Sequence, residues 1–332
     1  MSLALVFGSE NIQPFLDYFY SSFSMDEFTD VTETASSSLF YLDAQTFQMM
    51  GVNLAIVLAL FSSVFLVTRL ISHVDPAKEL TKKDNPAFAV AVSGLFIGIT
   101  ILLSGAMFGN AVYTLANSAK TIAAYGLSGL ILLAITRVIF DKLVLSRVLL
   151  KEDISKGNIG AAFVDAGIVI STAIIIRAVM VWVNPDSLAG VYSALAAYGL
   201  SLVLLSGAVF VRIRWYALRH KGHALESLIR GGNTAFCLKF MGRTIGTAFV
   251  IAGASHLLLF EIHPLEAILP AWAGIAVIAM VGLSLLSTLA ERVILWKVDI
   301  EDEIINQRNV ALGTVQCTLY IALGVLVSEL MK

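Results

Sequence analysis

Charge is scarce in this 332-residue chain: 14% of its residues are Asp, Glu, Lys or Arg, where a soluble domain carries about a quarter. With 58% hydrophobic residues and a mean hydropathy of +0.85, that scarcity excludes an ordinary soluble fold and predicts a polytopic membrane protein. Strict apolar/polar alternation is missing from the apolar runs, which excludes an outer-membrane barrel and leaves helices. Cysteine is nearly absent. Cys237 and Cys317 fall inside apolar runs at different positions of a repeat, so they read as small buried apolar residues and not as a disulfide or a metal pair. No nucleophile–base arrangement, phosphate loop or zinc signature occurs, so the expectation is no enzyme and no cofactor. Nor does any Lys or Arg precede Arg69. A secretory leader needs a basic start, so residues 1–47 read as a retained acidic tail, its aromatics (Phe15, Tyr18, Phe19, Tyr20, Phe23) either forming a short interfacial helix or leading irregularly into the first span.

Eight runs are apolar over the roughly 20 residues that a helix needs to cross a hydrocarbon core of about 30 Å: 51–71, 86–108, 121–143, 159–183, 190–212, 234–258, 266–290 and 309–330. Four of them open on an asparagine. Asn85, Asn158, Asn233 and Asn309 stand 73, 75 and 76 residues apart. The residue two positions on is small each time (Ala87, Gly160, Ala235, Ala311), and so are the residues nine and thirteen on: Gly94 and Gly98, Gly167 and Ser171, Gly242 and Gly246, Thr318 and Ala322. Such spacing puts both small residues on one helix face, where close backbone approach supplies the packing that the hydrophobic effect does not supply in lipid. The second helix of each unit repeats as well: Ala-Ala-Tyr-Gly-Leu-Ser occurs at 123–128 and 196–201, with an echo at 271–274. Two crossings per unit return the chain to the same side, so the copies run parallel, about an axis along the membrane normal, and inverted-repeat transporter folds are disfavoured.

If the segments 69–83, 137–156, 212–230 and 292–308 share one side, that side holds 17 of the 22 basic residues. The positive-inside rule makes it cytoplasmic and puts both termini outside.

An Asn-x-Ala opening, a Gly-x-x-x-Gly helix, a short outer turn and a Tyr-Gly-Leu helix ending in Arg resemble the bacterial membrane family called domain of unknown function 350, the YjfL-like proteins. Copies two and four depart from the pattern in lacking the glycine pair. The predicted fold is all-α, a transmembrane bundle of eight spans built from parallel two-helix repeats. Its divisions are the tail (1–47), a first span and loop (48–84), repeat units at 85–157, 158–232 and 233–308, and a final half unit at 309–332. The resemblance implies a bacterial inner-membrane protein associated with envelope stress, and it transfers no activity.

Candidate site residues are the polar atoms that a bilayer makes expensive. The asparagines suit helix N-caps; the alternative is that four helix N-termini gather an anionic headgroup or phosphate. Asp165 lies seven residues into its span, about 10 Å deep; Lys239 and Arg243 lie at comparable depth in the next copy of the opening helix, and Gln316 occupies the Asp165 position in the fourth. A pair of Asp165 with Lys239 or Arg243 would offset a cost of about 2.5–3.5 kcal/mol for a buried charge; alternatively both bases snorkel to the headgroups. Glu291 and Arg292 read as solvated or locally paired, and Arg177 as an interfacial anchor near Trp182. His220-x-x-His223-x-x-Glu226 has one-face spacing, yet its basic neighbours favour contact with anionic lipid or a partner over a metal. Two functions compete: a structural or scaffold component, engaging lipid, a cytoplasmic protein or further copies of itself and no nucleic acid; or an ion or small-solute transporter with a pathway near Asp165 and Lys239.

Overall fold

A computed structural model describes residues 44–72, 75–107, 115–183, 188–219, 224–258 and 264–332. The expectations for the tail as far as residue 43, with its aromatics, and for His220 and His223 lie outside those residues. The chain divides at Gly51 into two units, Met1–Gly51 and Val52–Lys332; the described part of the first is the opening turns of helix α1 (Ala44–Ser72).

After α1, the short helix α2 (Pro76–Thr81) precedes the long α3 (Pro86–Met107), and α4 (Leu115–Ile139) returns, ending in a π turn at Phe140–Val144. The same order recurs as short α5 (Leu150–Ser155), α6 (Ile159–Val183) and α7 (Leu188–Arg219), and again as short α8 (Leu225–Arg230), α9 (Thr234–Gly253) and α10 (Leu265–Ile294). A second π turn (Asp302–Asn306) then stands where a short helix is due, before α11 (Val310–Glu329). No strand occurs among the described residues. The eight long helices are all long and apolar enough to cross a membrane, and the protein is an all-α transmembrane bundle.

The four asparagine-led helices lie side by side in the order α3, α6, α9, α11. Burial follows that order: α6 and α9 have 89% and 78% of their apolar windows buried, whereas the outer α3 and α11 have 50% and 28%. The returning helices form a second layer over the seams, α4 against α3 and α6, α7 against α6 and α9, α10 against α9 and α11. Glycine sets the distance between the row's members. A Cβ on Gly94 would fall 2.5 Å from the Cβ of Ala166, one on Gly167 3.0 Å from the Cα of Met241, and one on Gly242 2.5 Å from the Cα of Cys317. No side chain separates the backbones there, and dispersion contact along the bare surfaces holds the row together.

Each long helix of the row begins at the same turn, in which a residue in left-handed backbone conformation precedes the asparagine. These are Asp84 (φ 46°), Gly157 (φ 86°), Gly232 (φ 68°) and Arg308 (φ 54°). The asparagine N–H then bonds back to the carbonyl of Glu79, Asp153, Leu228 or Glu303, so the first and last turns, which tolerate a non-glycine residue, are one residue longer than the middle two. A Cβ in left-handed conformation costs about 1–2 kcal/mol. Gly157→Ala and Gly232→Ala are therefore each expected to lower stability by about 1 kcal/mol, read as earlier thermal unfolding in detergent, while Asp84→Gly loses nothing; unchanged unfolding of both alanine variants would remove the turn from the account.

Candidate functional site

The side chains of all four asparagines cap their own helices, and those of the first three also join one copy to the next. In each, the Oδ1 accepts from the first turn of its own helix: from Ala87 and Phe88 N–H for Asn85 (3.1 and 3.2 Å), Ala161 for Asn158 (3.0 Å), Phe236 for Asn233 (3.0 Å) and Leu312 for Asn309 (3.2 Å). This satisfies donors that a helix start leaves orphaned. The Nδ2 looks outward, to the turn that introduces the next copy. Asn85 donates to the carbonyl of Ile154 (3.0 Å), Asn158 to Ile229 (2.8 Å) and Asn233 to Ile304 (2.9 Å). One amide thus caps a helix with one end and clamps the neighbouring copy with the other. Each of these three Nδ2 groups has a second acceptor as well: Glu79, Arg230 carbonyl and Ile305 carbonyl. Their amide donors are committed to the fold. At the last copy Asn309 donates to Glu303 Oε2 of its own turn (2.8 Å). Glu79, the corresponding carboxylate of the first turn, takes a 2.6 Å hydrogen bond from Lys83, which holds its carboxyl below the usual carboxylate range.

Asp165 is not paired with Lys239 or Arg243, contrary to the sequence expectation. Its partner is Arg137 of α4, whose Nε donates to Oδ1 at 3.0 Å and Nη2 to Oδ2 at 2.6 Å, a bidentate fork. The reason is rotational: Asp165 stands seven residues after its asparagine and Lys239 six after its own, about 100° apart around the helix axis, so they face different neighbours. Lys239 faces α10. Its Nζ lies 3.4 Å from Glu291, and neither base simply snorkels free.

Glu291, expected to be solvated or locally paired, is 8% exposed and the centre of a polar cluster. It accepts from Gln316 Nε2, from Tyr320 Oη at 2.5 Å and from Lys239, with Arg243 Nη2 at 4.0 Å. Arg243 in turn donates to Tyr320 Oη and lies 4.6 Å above that ring's centroid. Beside them Arg212 of α7 donates to Thr247, and its Nη1 is buried without a partner. Three cations and one carboxylate therefore share the α7–α9–α10–α11 region. Each returning helix sends one ionisable side chain across onto the next long helix of the row: Arg137 to Asp165, Arg212 to Thr247, Glu291 to Gln316 and Tyr320. Sequence reasoning counted Arg137 and Arg212 as loop charge and passed over Tyr320. Arg177, read as an outer anchor, donates its Nε to Ser104 Oγ of α3 at 3.0 Å. Among the described residues no group of His, Cys, Asp and Glu is placed to hold a metal.

Searches of curated proteins and of solved structures return no significant match to this chain. A family pattern does match, over residues 41–180 and again over 186–331, and each segment carries four of the eight spans and two asparagine turns. Its boundary falls after α6, so the family segment begins on a returning-type helix, not on an asparagine. Over nearly its whole described length, then, the chain belongs to the family described as Domain of Unknown Function (DUF350), present in two tandem segments.

Proposed function

We propose that this is a structural or scaffold protein of the bacterial inner membrane, with both termini outside and its asparagine turns facing the cytoplasm. The observation that carries the proposal is where the intramembrane charges are spent. Asp165 and Glu291 are each neutralised by a neighbouring helix, and the seams of the row are closed to backbone contact at Gly94 and Gly242. A transport pathway needs polar groups that face a wet lumen and exchange partners with a solute. Here the same residues hold helices together. The turns and their short helices carry most of the basic residues on one side, which suits contact with anionic lipid or with a cytoplasmic protein. The family relationship brings no activity with it.

Reconstituted into vesicles, the protein is expected to give no ion leak beyond that of protein-free vesicles, and labelling of tags at the two ends is expected to place both outside. A leak that Asp165→Asn abolishes would overturn the scaffold reading in favour of transport.

A further inference from the structure

The row α3–α6–α9–α11 ends without closing. In the first three copies the positions two, nine and thirteen after the asparagine are buried by the next helix: Ala87, Gly94 and Gly98; Gly160, Gly167 and Ser171; Ala235, Gly242 and Gly246. In the fourth copy the same positions, Ala311, Thr318 and Ala322, are exposed, together with Thr314 and Val315. The opposite edge is its counterpart. On the helices that receive a neighbour, positions eight and fifteen lie in the seam or are sealed by it, as with Ala166 and Ala173 on α6 or Cys317 and Gly324 on α11. On α3 those positions are Ser93 and Thr100, and both are exposed, with Ile97 between them 49% exposed. One end of the row presents a giving face and the other a receiving face.

Two further observations point the same way. Asn85, Asn158 and Asn233 each clamp an isoleucine carbonyl in the following turn, whereas Asn309 donates to Glu303 of its own turn. At the start of the chain, Leu80 stands five residues before Asn85, just as Ile304 stands five before Asn309. The second layer is incomplete as well. α4, α7 and α10 each cover a seam, whereas α1, the helix that precedes α3 in the corresponding place, has only one side of a seam to cover. It is the least buried of the eight spans, at 11%, with Leu54, Leu58 and Leu66 each more than half exposed.

We infer that a second copy of this chain continues the row, its α3 docking on α11 along the faces that the internal seams use, at the wider spacing that the Cβ of Thr318 requires, its α2 turn meeting Asn309 and its α1 covering the new seam. The occupant is specified by continuity: the two faces are the ones that the chain pairs three times between its own copies, with Thr318 in place of the glycine. Because the two faces differ, the contact is heterologous and repeats, either closing into a ring or running on as a file of copies. The inference does not depend on the scaffold reading and stands equally for a transporter.

The test uses the full chain in native membranes. In the internal seams a position nine faces a position eight, as Gly94 faces Ala166, so Thr318 of one copy is expected to face Ser93 of the next, within reach of a disulfide. Two single variants with different tags, Ser93→Cys and Thr318→Cys, are co-expressed and oxidised. A cross-linked species of doubled mass that carries both tags is expected, and the Ser93→Cys/Thr318→Cys double variant is expected to give a ladder or a single ring-sized band. Wild type supplies the control, since Cys237 and Cys317 are buried. Ala322→Trp, added to the double variant at a position exposed in the single chain, is expected to abolish the ladder while leaving the monomer folded. Homodimers of either single variant, a cross-link from Thr318→Cys to a different protein, or monomer alone in every lane would each overturn the inference.

Discussion

Gly242→Leu is expected to cost at least about 3 kcal/mol, the upper end of what overpacking does to a well-packed interior, and to leave little folded protein in the membrane. At Gly242 a Cβ alone would sit 2.5 Å from the Cα and the carbonyl oxygen of Cys317, which are backbone atoms that cannot turn aside. α9 and α11 would have to separate along their length, taking with them the Gly246–Gly324 contact one turn on, where a Cβ on Gly324 would meet the Gly246 Cα at 2.5 Å. Separation also pulls Tyr320 and Gln316 away from Glu291. The repeat supplies its own control. Thr318 is the equivalent residue of the fourth copy and is exposed, so Thr318→Leu is expected to change monomer stability by less than about 0.5 kcal/mol. Unfolding in a detergent that holds single chains reads both. Equal losses at the two positions would show that helix propensity and not the seam is responsible, and equal tolerance would dissolve the seam altogether.

That contrast also marks what could be read from residues alone. The spans, the fourfold asparagine turn and the small-residue faces are local and periodic, so they stand out in a single sequence: a helix face is fixed by spacing, and Gly94, Gly167 and Gly242 fall in register without any knowledge of the fold. The departure at Thr318 and Ala322 is equally visible in the sequence, but its reason is tertiary, since no backbone packs against those residues in the single chain. The partners of the intramembrane charges were not legible. They depend on the register of the second layer against the first, and that register is not periodic: Arg137, Arg212 and Glu291 follow the glycines of their helices, Gly126, Gly199 and Gly274, by 11, 13 and 17 residues. Long side chains then reach across layers to residues that no spacing rule connects. Depth along the helix suggested Asp165 and Lys239 as partners; rotation about it, one residue different, sent Asp165 to Arg137 and Lys239 to Glu291. The clamping half of each asparagine is hidden for the same reason, because an N-cap is local whereas its bond to a carbonyl some 70 residues away is not.

Glu291→Gln keeps the shape of the side chain and removes the one carboxylate among Lys239, Arg243 and Arg212. Breaking a buried ion pair from one side costs about 3–5 kcal/mol, because the surviving charge is left without a counter-charge. The partial exposure of Arg243 allows it to be screened by water or headgroups, so the expected loss lies near the low end, about 3 kcal/mol. The decisive arm is the rescue. Lys239 is the charge closest to Glu291 after the hydrogen-bonded neighbours, and its Nζ is held at 3.4 Å in largely buried surroundings. Glu291→Gln/Lys239→Met removes one charge of each sign and fills the stem's volume, and it is expected to recover more than half of the loss, giving a favourable coupling between the two sites in a double-mutant cycle. Asp165→Asn should respond to none of this, since its own partner Arg137 lies in another pair of helices, and its effect should add to that of Glu291→Gln. Should Glu291→Gln unfold no earlier than wild type, the carboxylate is not what holds α10 to α9 and α11, and the excess of positive charge there must be met by something other than the protein, with an anionic lipid headgroup the first candidate to test by varying the lipid in reconstituted membranes.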